Sequence, residues 1–175
     1  MRKLTHPELI LRQKERQKSG RLPFCVVLNN VRSLYNVGSI FRTADGVGVE
    51  KIWLCGITGY PPKNEIAKTA LGADKQVPWE YRQDVLSVIR ELKTKGYKIV
   101  LLEQIEESIF YDKFKPQAPV SLVIGNEIEG INEKIVSYCD GAVEIDMAGL
   151  KNSLNVAVAF GIVAYHFRKC FLNEL

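Results

Sequence analysis

"LPFCVVLNN", residues 22–30, decides the fold. Residues 24–28 are all apolar and include two β-branched valines, and two asparagines close the run. A strand wetted on one face alternates apolar and polar residues, and this one does not. Such a run predicts a strand buried on both faces, meeting a turn at Asn29 and Asn30. Further runs of this kind follow at "KIWLCGI" (51–57), "YKIVLLEQ" (97–104), "PVSLVIGNE" (119–127) and "GAVEIDM" (141–147). Between them the spacing turns helical. "LYNVGSIFRTADGVGV" (34–49) repeats Ile40, Phe41, Ala44 and Val47, and "NEIAKTALGAD" (64–74) reads as a short helix or loop. "QDVLSVIRELKTKG" (83–96) repeats Val85, Val88, Ile89 and Leu92, with Gly96 suited to the C-terminal cap. "NEKIVSYC" (132–139) predicts another helix, and a long one spans about 153–172. Strands alternating with helices predict an α/β fold, a mainly parallel sheet covered by helices on both faces.

Composition narrows the class. The chain has 175 residues, 46% hydrophobic and 25% charged, enough for one domain with a hydrophobic core. No window is long and apolar enough for a membrane span, and the N-terminus lacks the apolar core of a secretory signal. Cys25, Cys55, Cys139 and Cys170 form no CxxC pair and read as buried thiols in a reducing cytoplasm. Residues 2–18 read as helical. In residues 1–22, seven cations, Arg2 to Arg21, oppose Glu8 and Glu15; that leaves +5, and with the chain at +4 the remainder sums to −1. The excess suits either a polyanion contact or a solvated helix face.

Three segments at expected strand ends carry unusual polarity, where open parallel sheets bind ligands. The first, residues 29–49, holds Asn36, Gly38 and Arg42. Asn36 fits a helix N-cap or a ligand contact. Arg42, placed in the first two turns of its helix, gains nothing from the macrodipole there and hints at an anionic partner. The second is "LVIGNEIEGI" (122–131), where Gly125 and Gly130 flank Glu127 and let backbone approach a ligand, or simply form a strand-to-helix turn. The third is "IDMAGLKNSLNVAVAFGIVAYH" (145–166), where Lys151, Asn152, Ser153 and Asn155 precede a helix with almost no polar face. Asn152 or Ser153 could cap it. A helix apolar all round is buried on all sides, and a subunit partner is one way to cover it.

Some chemistries fall away. There is no GxGxxG after a strand and no GxxxxGK[ST]. Two histidines far apart and scattered thiols offer no metal-ligand motif. Ser153 and His166 lie far apart on one helix, and no GxSxG elbow is present.

Taken together, N-x-G-x-x-x-R-T-A (36–44), G-N-E-x-E-G (125–130) and M-x-G-x-x-x-S-L-N-V (147–156) resemble the SpoU-type (TrmH-like) RNA methyltransferases of the SPOUT superfamily. Asp146 and Ala157 depart from the family's usual proline and serine. The resemblance implies a C-terminal deep trefoil knot, one methyltransferase domain over 23–175, and a basic N-terminal helical segment over 1–22. It implies S-adenosyl-L-methionine as methyl donor, S-adenosyl-L-homocysteine as product, and a ribose 2′-hydroxyl of tRNA or rRNA as acceptor. A base-methylating knotted enzyme and a non-catalytic RNA-binding module stay open beside it. Carried over position by position, Leu102, Glu103, Gly125, Glu127, Ile145, Met147, Ser153 and Leu154 surround the donor. Arg42, Asn36, Glu127, Ser153 and Asn155 form the catalytic group, with no metal. A cytoplasmic homodimer through the C-terminal helix is the implied assembly.

Overall fold

The structure is a computed structural model and describes residues 1–17, 20–126 and 130–173. In chain order the elements are α1 (His6–Gln17), β1 (Leu22–Asn29), α2 (Leu34–Val47), β2 (Val49–Cys55), α3 (Asn64–Ala70), a 3₁₀ turn (Ala73–Lys75), β3 (Trp79–Arg82), α4 (Val85–Thr94), β4 (Lys98–Leu102), β5 (Ile109–Phe110), β6 (Val120–Ile124), α5 (Glu133–Val136), β7 (Gly141–Glu144) and α6 (Val156–Asn173). Two strands, β3 and β5, escape the apolar-run criterion. β3 is short and half-exposed, and β5 has two residues, both exposed. The helix expected over 132–139 is one turn, Glu133–Val136. Lys18 of the expected N-terminal helix and Glu127 at the expected strand end lie outside the described residues.

The seven strands form one sheet in the order β3-β2-β1-β6-β4-β7-β5, every pair parallel. Register aligns the carboxyl ends. Asn29 faces Cys55, and Leu28, Ile124, Leu102 and Val143 form one row across β1, β6, β4 and β7. One face of β1 (Phe24, Val26, Leu28) packs under α2 and α6. The other (Cys25, Val27) packs with Val88, Ile89 and Leu92 of α4. Burial on both faces is why the strand sequences do not alternate.

Local chemistry sets the helix ends. Thr5 and Glu8 open α1 as a capping box: Glu8 Oε2 accepts from Thr5 N at 2.7 Å, and Arg2 clasps the same carboxylate. The Arg2 guanidinium and the Thr5 donors hold the Glu8 carboxyl down at about 2. The cap of α2 is Ser33, not Asn36. Ser33 takes extended backbone (φ −77°, ψ 113°), and its Oγ accepts from Asn36 N. Gly48 ends α2 in left-handed backbone (φ 85°). α6 begins at Val156, and its cap is Asn155, not Asn152 or Ser153. Asn155 Oδ1 accepts from Ala157 N at 3.0 Å and from Val158 N at 3.4 Å.

α6 is not buried on all sides within one chain. Val156, Phe160, Val163, Ala164, Phe167 and Phe171 enter the core. Each fully buried phenylalanine contributes about 2–3 kcal/mol by burial alone. Val158 (51% exposed), Tyr165 (53%) and Leu172 (45%), spaced by seven residues, form an apolar row on the far side. No helix among the described residues is long and apolar enough to cross a membrane. Cys25 and Cys55 are buried, while Cys139 and Cys170 are only half-buried. Burial pushes the thiols of Cys25 up to about 11 and of Cys55 to about 12, so both stay protonated and unreactive at neutral pH.

Gly38 lets α2 cross α3 closely. A Cβ there would lie 2.1 Å from Thr69 Oγ1 and 2.4 Å from the Ile66 carbonyl oxygen. Thr69 cannot simply turn away, because its hydroxyl donates to the Tyr35 carbonyl at 3.0 Å. Gly38→Ala is therefore expected to destabilise the chain by about 1–3 kcal/mol, the usual cost of overpacking. Urea unfolding with an unchanged m value would check it.

Candidate active site

The carboxyl ends of β6, β4 and β7 open into a cleft of about 660 Å³. Leu102 and Glu103 reach it from the end of β4, and Gly125 from the end of β6. Ile145, Met147, Ser153 and Leu154 reach it from the segment that joins β7 to α6. Seven of the eight residues nominated around the methyl donor thus share one cleft. Glu127, the eighth, lies outside the described residues. The walls combine apolar Ile124, Ile131 and Met147 with polar Glu103, Gln104 and Asn152.

The turn after β6 depends on its glycines. Asn126 and Gly130 pair as an isolated antiparallel bridge, with Gly130 N donating to Asn126 O at 3.1 Å. A Cβ on Gly125 would lie 2.5 Å from Ile131 Cγ1 and 2.7 Å from the Gly130 carbonyl oxygen. Gly130 has φ +65°, and a Cβ there would meet Glu103 Oε2 at 2.7 Å. The two glycines therefore serve to close the turn on itself and against the β4 end.

Side chains that the sequence reading did not single out hold these loops together. Asn126 is buried, and its Nδ2 donates to the Asn30 carbonyl at 3.1 Å. Asn30 sits at φ 59°, a conformation asparagine tolerates, and its Oδ1 accepts from Ile57 N at 3.0 Å. Thr58 Oγ1 donates to Leu28 O and accepts from Val31 N. Gln104 Nε2 donates to Asn152 O at 2.7 Å and ties the end of β4 to the segment before α6. Asn126 lies inside the G-N-E-x-E-G motif and Asn30 at the turn predicted after the first strand. Gln104 and Thr58 carried no signal.

Of the nominated catalytic residues, Asn36 and Asn155 meet directly. Asn155 Nδ2 donates to Asn36 Oδ1 at 3.1 Å across 119 residues of chain. One side chain thus caps α6 with its oxygen and binds the first turn of α2 with its nitrogen. Asn155 and Ser153 line the cleft. Arg42 stands elsewhere. It is the ninth residue of α2, in its third turn rather than its first two, and it is exposed. It does not line the cleft of its own chain and makes no hydrogen bond or ion pair among the described residues. Gly46, one turn further on the same side of α2, faces the Tyr165 hydroxyl of α6. Arg42 therefore borders the apolar row of α6.

A parallel α/β chain with its cleft at the carboxyl edge, lined by two separated motifs and bonded to a third through Asn36, defines a ligand-binding α/β enzyme scaffold. Residues 23–165 match the SpoU rRNA Methylase family, and the chain belongs to that family. It is 33% identical over 144 residues to the tRNA (guanosine(18)-2′-O)-methyltransferase of Aquifex aeolicus, covering 82% of this chain and 68% of that protein. It is 32% identical to a protein of Staphylococcus saprophyticus named for the TrmH family of tRNA/rRNA methyltransferases, covering 89% of this chain. The chain spans only 62% of the length of that relative. Among solved structures, the A. aeolicus TrmH/SpoU tRNA modifying enzyme superposes with a TM-score of 0.81 at 28% identity, covering 95% of this chain and 86% of that one. An AdoMet-bound rRNA methyltransferase from Sinorhizobium meliloti gives 0.78 at 30% identity, covering 83% of this chain and 56% of that one. The fold is the α/β knot of these enzymes, whose C-terminal part is threaded into a trefoil, an exception to the rule against threaded connections.

Proposed function

We propose that this chain is a cytoplasmic RNA methyltransferase that moves the methyl group of S-adenosyl-L-methionine to a ribose 2′-hydroxyl of tRNA or rRNA, leaving S-adenosyl-L-homocysteine. The observation that carries the reading is the convergence at one cleft edge. The Gly125 turn and the Met147–Asn155 segment share the cleft, and Asn155 is bonded to Asn36 of the first motif. The donor set fits the methyl donor. Leu102, Ile124, Ile131 and Met147 offer apolar walls to a flat base, and Glu103, Gln104 and Ser153 offer partners to its hydroxyl and amino groups. A cleft of about 660 Å³ lies within the usual range of roughly 300–1,000 Å³ for such ligands.

The bound donor supplies an electrophilic methyl on a sulfonium. The chain supplies orientation. Ser153, Asn155 and Asn36, with Glu127, provide the polar shell that positions the acceptor hydroxyl. The planar, charged guanidinium of Arg42 serves as a phosphate clamp and stabiliser of the emerging alkoxide, while the hydroxyl proton passes to solvent water. Val158, Tyr165 and Leu172 supply the apolar row through which two copies pair along α6. That pairing sets Arg42 at the rim of the interface. The basic segment 1–22 is read as a separate RNA clamp preceding the methyltransferase domain of 23–175.

The test is transfer of radiolabelled methyl to unfractionated tRNA and rRNA, followed by alkaline hydrolysis. The expected result is label in alkali-resistant dinucleotides, because a 2′-O-methyl blocks strand cleavage. Label in free base-modified nucleotides would assign the chain to base methylation. Binding of RNA and donor without transfer would leave a non-catalytic module.

A further inference from the structure

A second cleft of about 430 Å³ lies on the same carboxyl edge, over the ends of β2 and β3. Its rim is the loop Gly56–Lys63, and Tyr81 and Gln83 close it from the β3 side. None of these residues belongs to the three motifs or to the donor cleft. We propose that this cleft is an RNA contact that stacks one unpaired nucleobase of the substrate on Tyr60. The inference rests on the RNA-substrate reading above and adds a site to it.

Three features support a base. The first is an aromatic platform. Tyr60 is 42% exposed, its ring lies 4.7 Å from that of Tyr81, and it stacks on Trp79 at 6.1 Å and 28°. Proteins recognise unpaired nucleotides by stacking them on such rings, and any base has a face to offer. The second is rigidity. Thr58 ties the loop to Leu28 O and Val31 N, Asn30 Oδ1 holds Ile57 N, and the Tyr81 hydroxyl lies 2.9 Å from Gly56 O. Tyr60 is therefore presented in place, and little ordering is left for binding. The third is polarity matched to a nucleotide. Gln83 is exposed beside the Tyr81 hydroxyl, and its side-chain amide carries both donor and acceptor atoms for a base edge. Lys63 is exposed beside the loop as a phosphate partner.

The position is also right. Leu34, at the start of α2, packs against Gly59 of the loop, and a Cβ on Gly59 would meet Leu34 Cδ2 at 2.1 Å. Two residues further on, Asn36 bonds Asn155 at the donor cleft. The first turn of α2 is thus the wall between the two clefts. Strands lie about 4.8 Å apart, so the end of β2 is roughly 10 Å from the end of β6. A nucleotide on Tyr60 would be a neighbour of the methylated one. Bases within an A-form duplex are stacked on each other and cannot reach this ring.

The test is fluorescence anisotropy with a short labelled single-stranded RNA and with the same RNA annealed to its complement. Tyr60→Ala is expected to weaken single-strand binding by about 5- to 100-fold, the span of one lost stacking contact. Tyr60→Phe keeps the ring and is expected to bind as wild type. Lys63→Gln is expected to lower the slope of binding against salt by about one phosphate. Affinity for S-adenosyl-L-methionine, read by calorimetry, stays unchanged in all three and reports an intact fold. Wild-type affinity in Tyr60→Ala, or equal losses in Tyr60→Phe or on the duplex, would overturn the proposal. So would a changed sedimenting mass of Tyr60→Ala with RNA affinity intact, which would make the patch a protein contact. If the wild-type chain binds neither RNA, the substrate reading itself fails; if it methylates RNA and Tyr60→Ala is silent, only this site fails.

Discussion

Replacing Arg42 with alanine is expected to lower kcat for methyl transfer by about a hundred- to a thousand-fold, the cost of losing one charge stabiliser of the transition state. Affinity for S-adenosyl-L-methionine is expected to stay at the wild-type value, because Arg42 does not line the donor cleft of its own chain. The fold should be indifferent as well. Arg42 is exposed and holds no partner among the described residues, so its loss leaves nothing buried and unpaired. Arg42→Lys separates charge from geometry. A lysine keeps the charge but loses the planar fork that grips a phosphate, so partial activity is expected. Single-turnover assays with saturating donor, calorimetry and sedimentation together make the test. Retained transfer, or loss of donor binding with transfer lost only in proportion, would remove Arg42 from the reacting group.

The placement of Arg42 also shows where the sequence stops being readable. The helix spacing around Ile40, Phe41 and Ala44 was plain, so the existence of α2 was legible. Its start was not. Ser33 and Asn36 are both good caps three residues apart, and only the extended backbone at Ser33 decides between them. Moving the start back to Leu34 carries Arg42 into the third turn and away from the helix N-terminus. The same ambiguity hid the start of α6. Asn152, Ser153 and Asn155 all suit a cap. The cap is Asn155, and the segment before it is tied to the end of β4 by Gln104, which donates to the Asn152 carbonyl across 48 residues. Local propensity cannot see such a bond.

Strands divided in the same way. β1, β2, β4 and β6 are central and buried on both faces, so each appears as an apolar run. β3 and β5 are edges. "WEYR" has polar residues at half its positions, and β5 is too short to carry a pattern. Pairing order was not legible at all, because nothing local in "SLVIG" says that β6 inserts between β1 and β4. Seven of the eight residues that the family resemblance implied do line one cleft just past the strand ends, though strand ends alone pointed only to the segments and not to that set. The second cleft was not foreseeable, because its aromatic rings come partly from the unforeseen β3.

Gly125→Ala tests whether the turn after β6 builds the donor cleft. The methyl group would enter at 2.5 Å from Ile131 Cγ1 and at 2.7 and 2.8 Å from the carbonyl oxygen and carbon of Gly130. A flexible side chain could move aside, but Gly130 is backbone. It is pinned by its own bond to Asn126 O, and behind it stands the Glu103 carboxylate. The clash must therefore be relieved by opening the turn. Opening it separates Gly125, Gly130 and Ile131, which all line the cleft, and displaces Asn126, which fastens the turn to Asn30. A misplacement of about 1 Å among reacting groups costs on the order of a hundred-fold in rate. Methyl transfer is expected to fall by about that factor, and affinity for S-adenosyl-L-methionine to fall with it. The global cost is smaller, about 1–3 kcal/mol, because the turn lies at the surface end of β6 and the sheet beneath it is untouched. Gly141→Ala supplies the contrast. It lies at the amino end of β7, and its added Cβ would meet only the Phe114 ring at an ordinary 3.8 Å. Calorimetric titration of both variants, with urea unfolding alongside, reads the difference. If Gly125→Ala binds the donor as tightly as Gly141→Ala does, the glycine closes a turn that the cleft does not need.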